Sequence, residues 1–310
     1  MRVVVIGAGM TGLTAARLLT GSGHQVSVLD KGRALGGRMA TKRIGDARFD
    51  HGAQHFSARS PEFAETVDRL IADGAAKVWF ESHSITEPDR GVEPRHVGSP
   101  SMRSVCEQLA QGLDVRVGVT VTGIRRQDGN VLVDTADGPL IADACVITAP
   151  LPQTLTLVGD LMGDHRSRFE SIVYDPCLAA MLILDGPAGL PDGHLALAEG
   201  PIAWMADNQH KGVSPVPAVT VHASPEFSRQ HLEQEPAEWL PVVVDAAAGH
   251  LGAKAVEAHG HRWRYSIPTN PGTEGAIEVA PGIVVAGEAL AGARVEGAFL
   301  SGLAAAQRLC

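Results

Sequence analysis

Gly7, Gly9 and Gly12 are spaced as G-x-G-x-x-G between an apolar run and an Ala/Leu-rich stretch in "VVVIGAGMTGLTAARLL". That order of residue types reads as strand, tight turn and helix. Gly7 makes the turn, Gly9 lets backbone approach a pyrophosphate, and Gly12 allows close helix–strand packing. Unpaired N–H groups at the helix start, Met10 and Thr11 included, then meet the anion at the positive end of the helix dipole. Asp30, followed by Lys31, closes the next apolar run about 20 residues on, where a carboxylate accepts from a ribose 2′-OH and repels a 2′-phosphate. The predicted ligand is a dinucleotide. These residues leave open whether it is a nicotinamide that exchanges or a flavin that stays.

A second glycine pair follows in "DKGRALGGRMATKR": Gly36 and Gly37, then Arg38. This stretch resembles the two-dinucleotide-binding-motif flavoproteins. There such glycines let backbone run past the pyrophosphate, and the arginine offsets its charge. An NAD dehydrogenase gives no reason for the second segment. The resemblance implies non-covalent FAD. It extends to "GIVVAGEALAGARVEGAFLSGLAAAQRL", which is similar to the segment where those proteins set an acid on the flavin ribityl chain. A following helix there aims its N-terminus at the N1/C2=O edge of the ring. Reduced flavin is negative at that edge, and a helix dipole stabilises it by about 0.3–2 kcal/mol. Carried over, Gly287 and Glu288 take the ribityl contact, with Glu288 where the family usually has Asp. Gly297 and Ala298 lie at the helix start near the ring. Arg294 offers a fork to a phosphate or to flavin O2, and Val121 is assigned to the adenine end.

Four further stretches together resemble the renalase-type branch of the flavin amine-oxidase fold: "ALGGRMATKR…FDHGAQHF", "RHVGSPSM", "IAWMADNQHK" with "HRWRYSIP", and "RVEGAFLSGLAAA". The resemblance implies hydride transfer from off-pathway 2- and 6-dihydronicotinamide isomers of NAD(P) to flavin N5. O2 would then reoxidise the flavin, giving hydrogen peroxide and NAD(P)⁺. Such a reaction needs orientation and shielding more than acid–base help, because its product is an aromatic cation. The candidate cavity walls are Gln54, His55, Trp204, Asn208, Trp263 and Tyr265, with His55 standing where the family often has Tyr. Flat Trp faces suit a planar nicotinamide. Two alternatives keep the fold and the FAD. One is an amine oxidase or a biosynthetic oxidoreductase, although an aromatic content of only 4% weakens the case for an amine cage. The other is a flavin-loaded binding or sensor protein without turnover, since no acid–base pair is recognisable.

These residues need a scaffold. Residues 3–6 and 25–29 read as parallel strands around the first helix, and residues 41–50 as a hairpin turning at Gly45-Asp46. Helices are predicted over 61–73, 101–111, 238–251, with Pro241 at its entry or kink, and 297–309. Residues 115–147 read as a small antiparallel meander, and strand-like runs fill 177–223 and 261–268. The expected class is α/β: an FAD-binding Rossmann-like domain plus a substrate domain on a large, mostly antiparallel sheet. The FAD part is expected to be discontinuous (1–60, 98–150 and 270–310), with 61–97 and 151–269 forming the substrate part.

At 310 residues the chain is long enough for two such domains. A formal charge of −9 and the lack of a Lys/Arg-rich run argue against nucleic acid. No apolar stretch approaches the ~20 residues needed to cross a bilayer. Four widely spaced cysteines (Cys106, Cys145, Cys177 and Cys310) indicate neither a disulfide framework nor a zinc site, which suggests a cytoplasmic protein. "HGH" at residues 259–261 has the spacing of two strand ligands, but no third ligand is evident, so no metal is expected. The partners expected are a small-molecule substrate and O2; oligomeric state is open.

Overall fold

The computed structural model describes residues 1–83 and 91–310. Eighteen strands and eight α-helices lie among these described residues. The central sheet follows the order β17 (Ala276–Ala280), β18 (Ile283–Ala286), β11 (Ala144–Ile147), β1 (Arg2–Ile6), β2 (Gln25–Asp30), β7 (Asp114–Val117). Its pairings are parallel except at the β17 edge. The inner strands "VVVI", "ACVI" and "IVVA" are buried at every residue. That is the continuous apolar run expected of a strand covered on both faces.

One face of this sheet is covered by α1 (Met10–Gly21), α2 (Pro61–Ala72), α3 (Met102–Ala110) and α8 (Val295–Gln307). The other is covered by the three-stranded sheet of β8 (Val121–Gln127), β9 (Asn130–Thr135) and β10 (Gly138–Ala142), and by α4 (Leu151–Val158) and α5 (Arg166–Glu170).

Two sequence expectations change here. The predicted meander over 115–147 holds only for its middle three strands. Its first and last runs join the parallel sheet, because burial on both faces suits "ACVI" better than an exposed edge does. Helix α2, expected in the substrate part, instead sinks Phe63, Val67 and Leu70 into the core that holds Leu13 and Phe299. Local signals set its bounds. Ser60 accepts from the Phe63 N–H (3.3 Å), Pro61 sits in the first turn, and the helix ends just before Gly74.

The second large sheet is antiparallel, in the order β13 (His194–Ala196), β14 (Ile202–Asp207), β15 (Ala218–Ala223), β12 (Tyr174–Leu184), β16 (Ala255–Pro268). Helix α7 (Pro236–Ala248) buries Trp239, Val243 and Ala247 against it, and α6 (Pro225–Gln230) packs on β12. The α7 start lies before the predicted one, because Pro236 takes the first helical position and Glu235 and Glu238 form a reciprocal cap; Pro241 lies inside the helix.

Two hairpins join the layers. β3 (Thr41–Ile44) and β4 (Ala47–Asp50) bury Ala47 and Phe49 against Met181 and Ala218 of the antiparallel sheet. β5 (Ala76–His83) and β6 (Val92–Gly98) form the other, which was not read from sequence.

Candidate active site

The first glycine turn is built as its spacing predicts. The Gly7 N–H donates to Leu29 O (2.7 Å), tying the turn to the end of β2. A Cβ on Gly12 would lie 1.9 Å from Gly7 O, so no larger residue fits without moving the turn. Helix α1 has no side-chain cap and no acidic residue in its first turn. Its first N–H groups therefore have no partner within the helix, which is what a bound pyrophosphate requires. Met10 and Thr11 are buried there.

Gly36 closes onto this turn: its N–H donates to Ala8 O (2.8 Å), and Gly37 packs against the Gly9 Cα. The two glycine segments form one backbone cradle. Asp30 holds it from beneath, accepting from the Ala8 N–H (2.7 Å) and the Gly32 N–H (2.6 Å). Each carboxylate oxygen keeps a further lone pair for a ribose hydroxyl. Lys31 reaches outward to Gln153 (3.1 Å). Val121, half-buried at the start of β8, packs beside the core under the sheet's other face.

Arg38 makes a forked ion pair with Glu288, which sits just after β18, and also donates to Ser266 O (3.2 Å). Glu288 is only 7% exposed. Expected separately on the pyrophosphate and the ribityl chain, the two groups bind each other. Burial is the largest influence and lowers the Arg38 pKa, but the charge of Glu288 and its hydrogen bonds together outweigh this and the net shift is upward. Gly287 donates to Ser301 Oγ (2.7 Å). Arg294 is the uncapped N-cap of α8, and a Cβ on Gly297 would meet Gly292 O at 2.0 Å. Ala298 lies in that first turn, donating its N–H to Arg294 O (3.0 Å). Glu296, in the same turn, accepts from the Arg59 (2.9 Å) and Ser60 (2.6 Å) N–H groups. The uncapped starts of α1 and α8, with the cradle between them, fit FAD.

The six cavity candidates fall into separate groups around residues 50–56. His55 stacks on Trp204 (centroids 5.4 Å apart) and on Phe80 (5.6 Å). His194 lies parallel to Phe80 (3.9 Å) and close to Trp204 (5.0 Å), with Trp79 edge-on to Phe80. Trp263 belongs to a second group, donating to His51 O (2.8 Å) and packing on His51 and His261. Tyr265 turns edge-on to Tyr174.

Gln54 and Asn208 are placed inside the protein rather than on a wall. Gln54 Nε2 donates to Asp50 O and Gly52 O. Fully buried Asn208 accepts from the Asp50 N–H (3.1 Å) and donates to Thr220 Oγ1 (2.9 Å). Expected on the cavity wall, both instead fix the segment leaving β4.

Sequence reasoning missed the most unusual group here. Lys211 is buried, 3.2 Å from the equally buried Asp50 carboxylate, and donates to Gln54 O (3.1 Å). Its ammonium also sits over the Trp79 ring (4.9 Å). Burial lowers its pKa, and Asp50 opposes that shift. Burial, with the Lys211 charge next, drives the His55 imidazole down to about 3. His51 falls to about 3 and His222 to about 4, again chiefly through burial. This region therefore holds neutral imidazoles beside two buried cations, Lys211 and Arg95. His259 pairs with Glu257, while His261 packs on His51, and no metal-holding group of three ligands occurs among the described residues.

An antiparallel substrate sheet set over a parallel sheet with a doubled glycine cradle defines the class: a two-part, dinucleotide-binding flavoprotein. Residues 5–70 match the NAD(P)-binding Rossmann-like domain, and residues 73–310 match flavin containing amine oxidoreductase. The chain belongs to the flavin containing amine oxidoreductase family, for which FAD is the expected cofactor.

An L-amino-acid oxidase of Crotalus adamanteus is 56% identical over 190 residues, 56% of this chain and 35% of that protein. Hydroxyneurosporene desaturase of Rubrivivax gelatinosus is 31% identical over 168 residues, 52% of this chain and 29% of its own length. The chain thus spans about a third of the curated relatives it matches. Among solved structures, a putative protoporphyrinogen oxidase from Exiguobacterium sp. 255-15 aligns with a TM-score of 0.76 at 16% identity, covering 99% of this chain and 98% of its own. Putrescine oxidase bound to putrescine aligns at 0.74 and 13%, covering 100% and 99%. At such identities these structures share the fold. No helix among the described residues is long and apolar enough to cross a membrane.

Proposed function

We propose that this protein is an FAD-dependent oxidase of a small nitrogen compound. It removes hydride from a carbon bonded to nitrogen and delivers the electrons to O2. The observation that carries this reading is the aromatic wall of Trp204, Phe80 and His194 around a neutral His55. Three of the chain's few large aromatics, Trp79, Phe80 and Trp204, converge there, which answers the objection from composition.

When bound, FAD supplies the hydride acceptor and returns two electrons to O2 as hydrogen peroxide. The chain's own residues bind, orient and shield. Gly7, Gly9, Met10, Thr11, Gly12, Gly36 and Gly37 present backbone to the pyrophosphate. Asp30 and Lys31 stand at the ribose end, and Val121 at the adenine end. The Arg38–Glu288 pair, with Gly287, closes the cradle on the ribityl side. Arg294, Gly297 and Ala298 set the start of α8 toward the ring edge. In the cavity, the Lys211 ammonium and Arg95 press on His55 and disfavour a second cation. A donor amine therefore enters neutral, with the lone pair that becomes the C=N bond as hydride leaves its α-carbon.

An amine is the donor favoured. The names of L-amino-acid oxidase and putrescine oxidase among the matches support it. A second reading keeps the same chemistry, because 2- and 6-dihydronicotinamides also lose hydride from a carbon next to nitrogen. The near-parallel rings of Phe80, His194 and Trp204 favour it, since flat faces suit a planar ring.

Peroxide formation by the FAD-loaded protein tests the proposal, using one panel of primary amines, secondary amines and L-amino acids and a second of dihydronicotinamide isomers. One panel should give turnover, and Trp204→Ala should lower its kcat/KM at least tenfold with FAD content unchanged. Turnover with neither panel overturns the reading.

A further inference from the structure

We propose that a cleft between the β3–β4 hairpin and the start of α3 binds a small phosphate-bearing anion, separately from the flavin cradle. The cleft measures about 210 Å³. Lys42, Arg43, Arg48 and Arg103 line it against one carboxylate, Glu107. In a chain of net charge −9, such a concentration of cations is local and not compositional.

The hairpin register sharpens the point. Arg43 and Arg48 stand directly opposite each other across the strands. Like charges in that position destabilise a two-stranded ribbon unless something between them compensates. Internal compensation is slight. Arg43 donates to Gly45 O (2.9 Å), and its nearest acid, Asp46 in the turn, is 3.9 Å away. Among the described residues, the Arg48 guanidinium and the Lys42 ammonium make no hydrogen bond or ion pair. Arg103 donates one N–H to Thr41 O, while its Nε is buried without an acceptor. None of the four pairs with Glu107.

An anion with several oxygens offsets the Lys42, Arg43 and Arg48 charges together. Guanidinium forks match phosphoryl oxygens two at a time, and such charge-assisted bonds are roughly twice as strong as neutral ones. Thr41 and Ser101 lie on the same walls. The volume admits a phosphate or pyrophosphate group and excludes a folded protein segment. The source is either the free anion or the phosphates of a nucleotide whose remainder lies outside.

Isothermal titration of the FAD-loaded protein with inorganic pyrophosphate tests the site, with chloride at matched ionic strength as the blank. Keeping FAD bound removes the glycine cradle as a competing site. Saturable binding at one equivalent is expected, weakened about tenfold or more in Arg48→Gln and in Arg43→Gln. Both variants should keep wild-type flavin content and melting temperature, because both side chains are exposed. A parallel titration with NAD⁺ separates the sources: binding that Arg48→Gln abolishes assigns the cleft to a nucleotide, and binding of pyrophosphate alone assigns it to the free anion. Absence of heat beyond the chloride blank, or equal affinity in the wild type and both variants, overturns the proposal.

Discussion

Arg38 and Glu288, 250 positions apart in sequence, join in a forked ion pair that ties the second glycine segment to the strand end before α8. The pair locks together two of the segments proposed to hold FAD. Glu288 is buried, so removing Arg38 leaves a carboxylate with no compensating charge. Arg38→Ala should therefore cost about 3 kcal/mol of stability, the low end for broken buried pairs, given a guanidinium still 29% exposed. It should also release FAD more readily. Flavin fluorescence after dilution and a urea melt would check both effects. Retained FAD with an unchanged melt would mean the pair is incidental.

Gly12→Ala places a methyl carbon against the carbonyl oxygen that shapes the phosphate turn. The turn must open to admit it. The expected product is a soluble protein with little bound FAD, or one that does not fold. Absorbance at the flavin band and far-UV circular dichroism separate those outcomes, and full flavin content in the variant would contradict the packing described.

Lys211 and Asp50 make a different test, because both are wholly buried and neither has a solvent route for its charge. Lys211→Met alone should lose about 3–5 kcal/mol by stranding the carboxylate. Lys211→Met combined with Asp50→Asn should recover much of that, since the charges disappear together. A double-mutant cycle by urea denaturation measures the coupling. Simple additivity would show that the two groups do not depend on each other.

Acid should weaken the fold through its neutral histidines. Unfolded, His51 and His55 take up protons near 6.5; folded, burial holds both down to about 3. Between those values the unfolded chain binds more protons, so stability is full above about 6.5 and falls as pH drops toward 3. Each histidine contributes about 1.4 kcal/mol per pH unit over that window. Urea midpoints measured on either side of pH 6.5 should drop on the acid side, and His55→Gln should reduce the slope. A flat profile would show that these imidazoles already titrate in the folded protein.

Much of the nucleotide half was legible in the sequence because its signals are local. A glycine spacing, an acid at a strand end and a proline at a helix start each act within a few residues, and Gly7, Gly12, Asp30 and Pro61 all sit as their types require. The edges of the 115–147 region were misread because the alternation in "VRVGVTVTGI" does not say which sheet it joins; that depends on β2, far away in sequence. The aromatic cluster was the least legible. Trp79 and Phe80 share β5, but His194 comes from β13 and Lys211 from the loop after β14, and only the folding of the chain around residues 50–56 brings them together. Lys211 carries no sequence mark of burial, because its partner Asp50 lies across the domain junction. Asn208 and Gln54 read as cavity walls in the sequence, but the fold uses their amides internally.

Anaerobic stopped-flow reduction of the FAD-loaded protein by an amine, compared with the same amine deuterated at its α-carbon, tests the central claim most directly. Loss of the oxidised flavin band, slowed severalfold by deuterium, is the predicted result, and a dihydronicotinamide isomer deuterated at its ring carbon next to nitrogen should behave alike if it is the donor instead. Bleaching by dithionite while every nitrogen donor leaves the band intact would contradict the account.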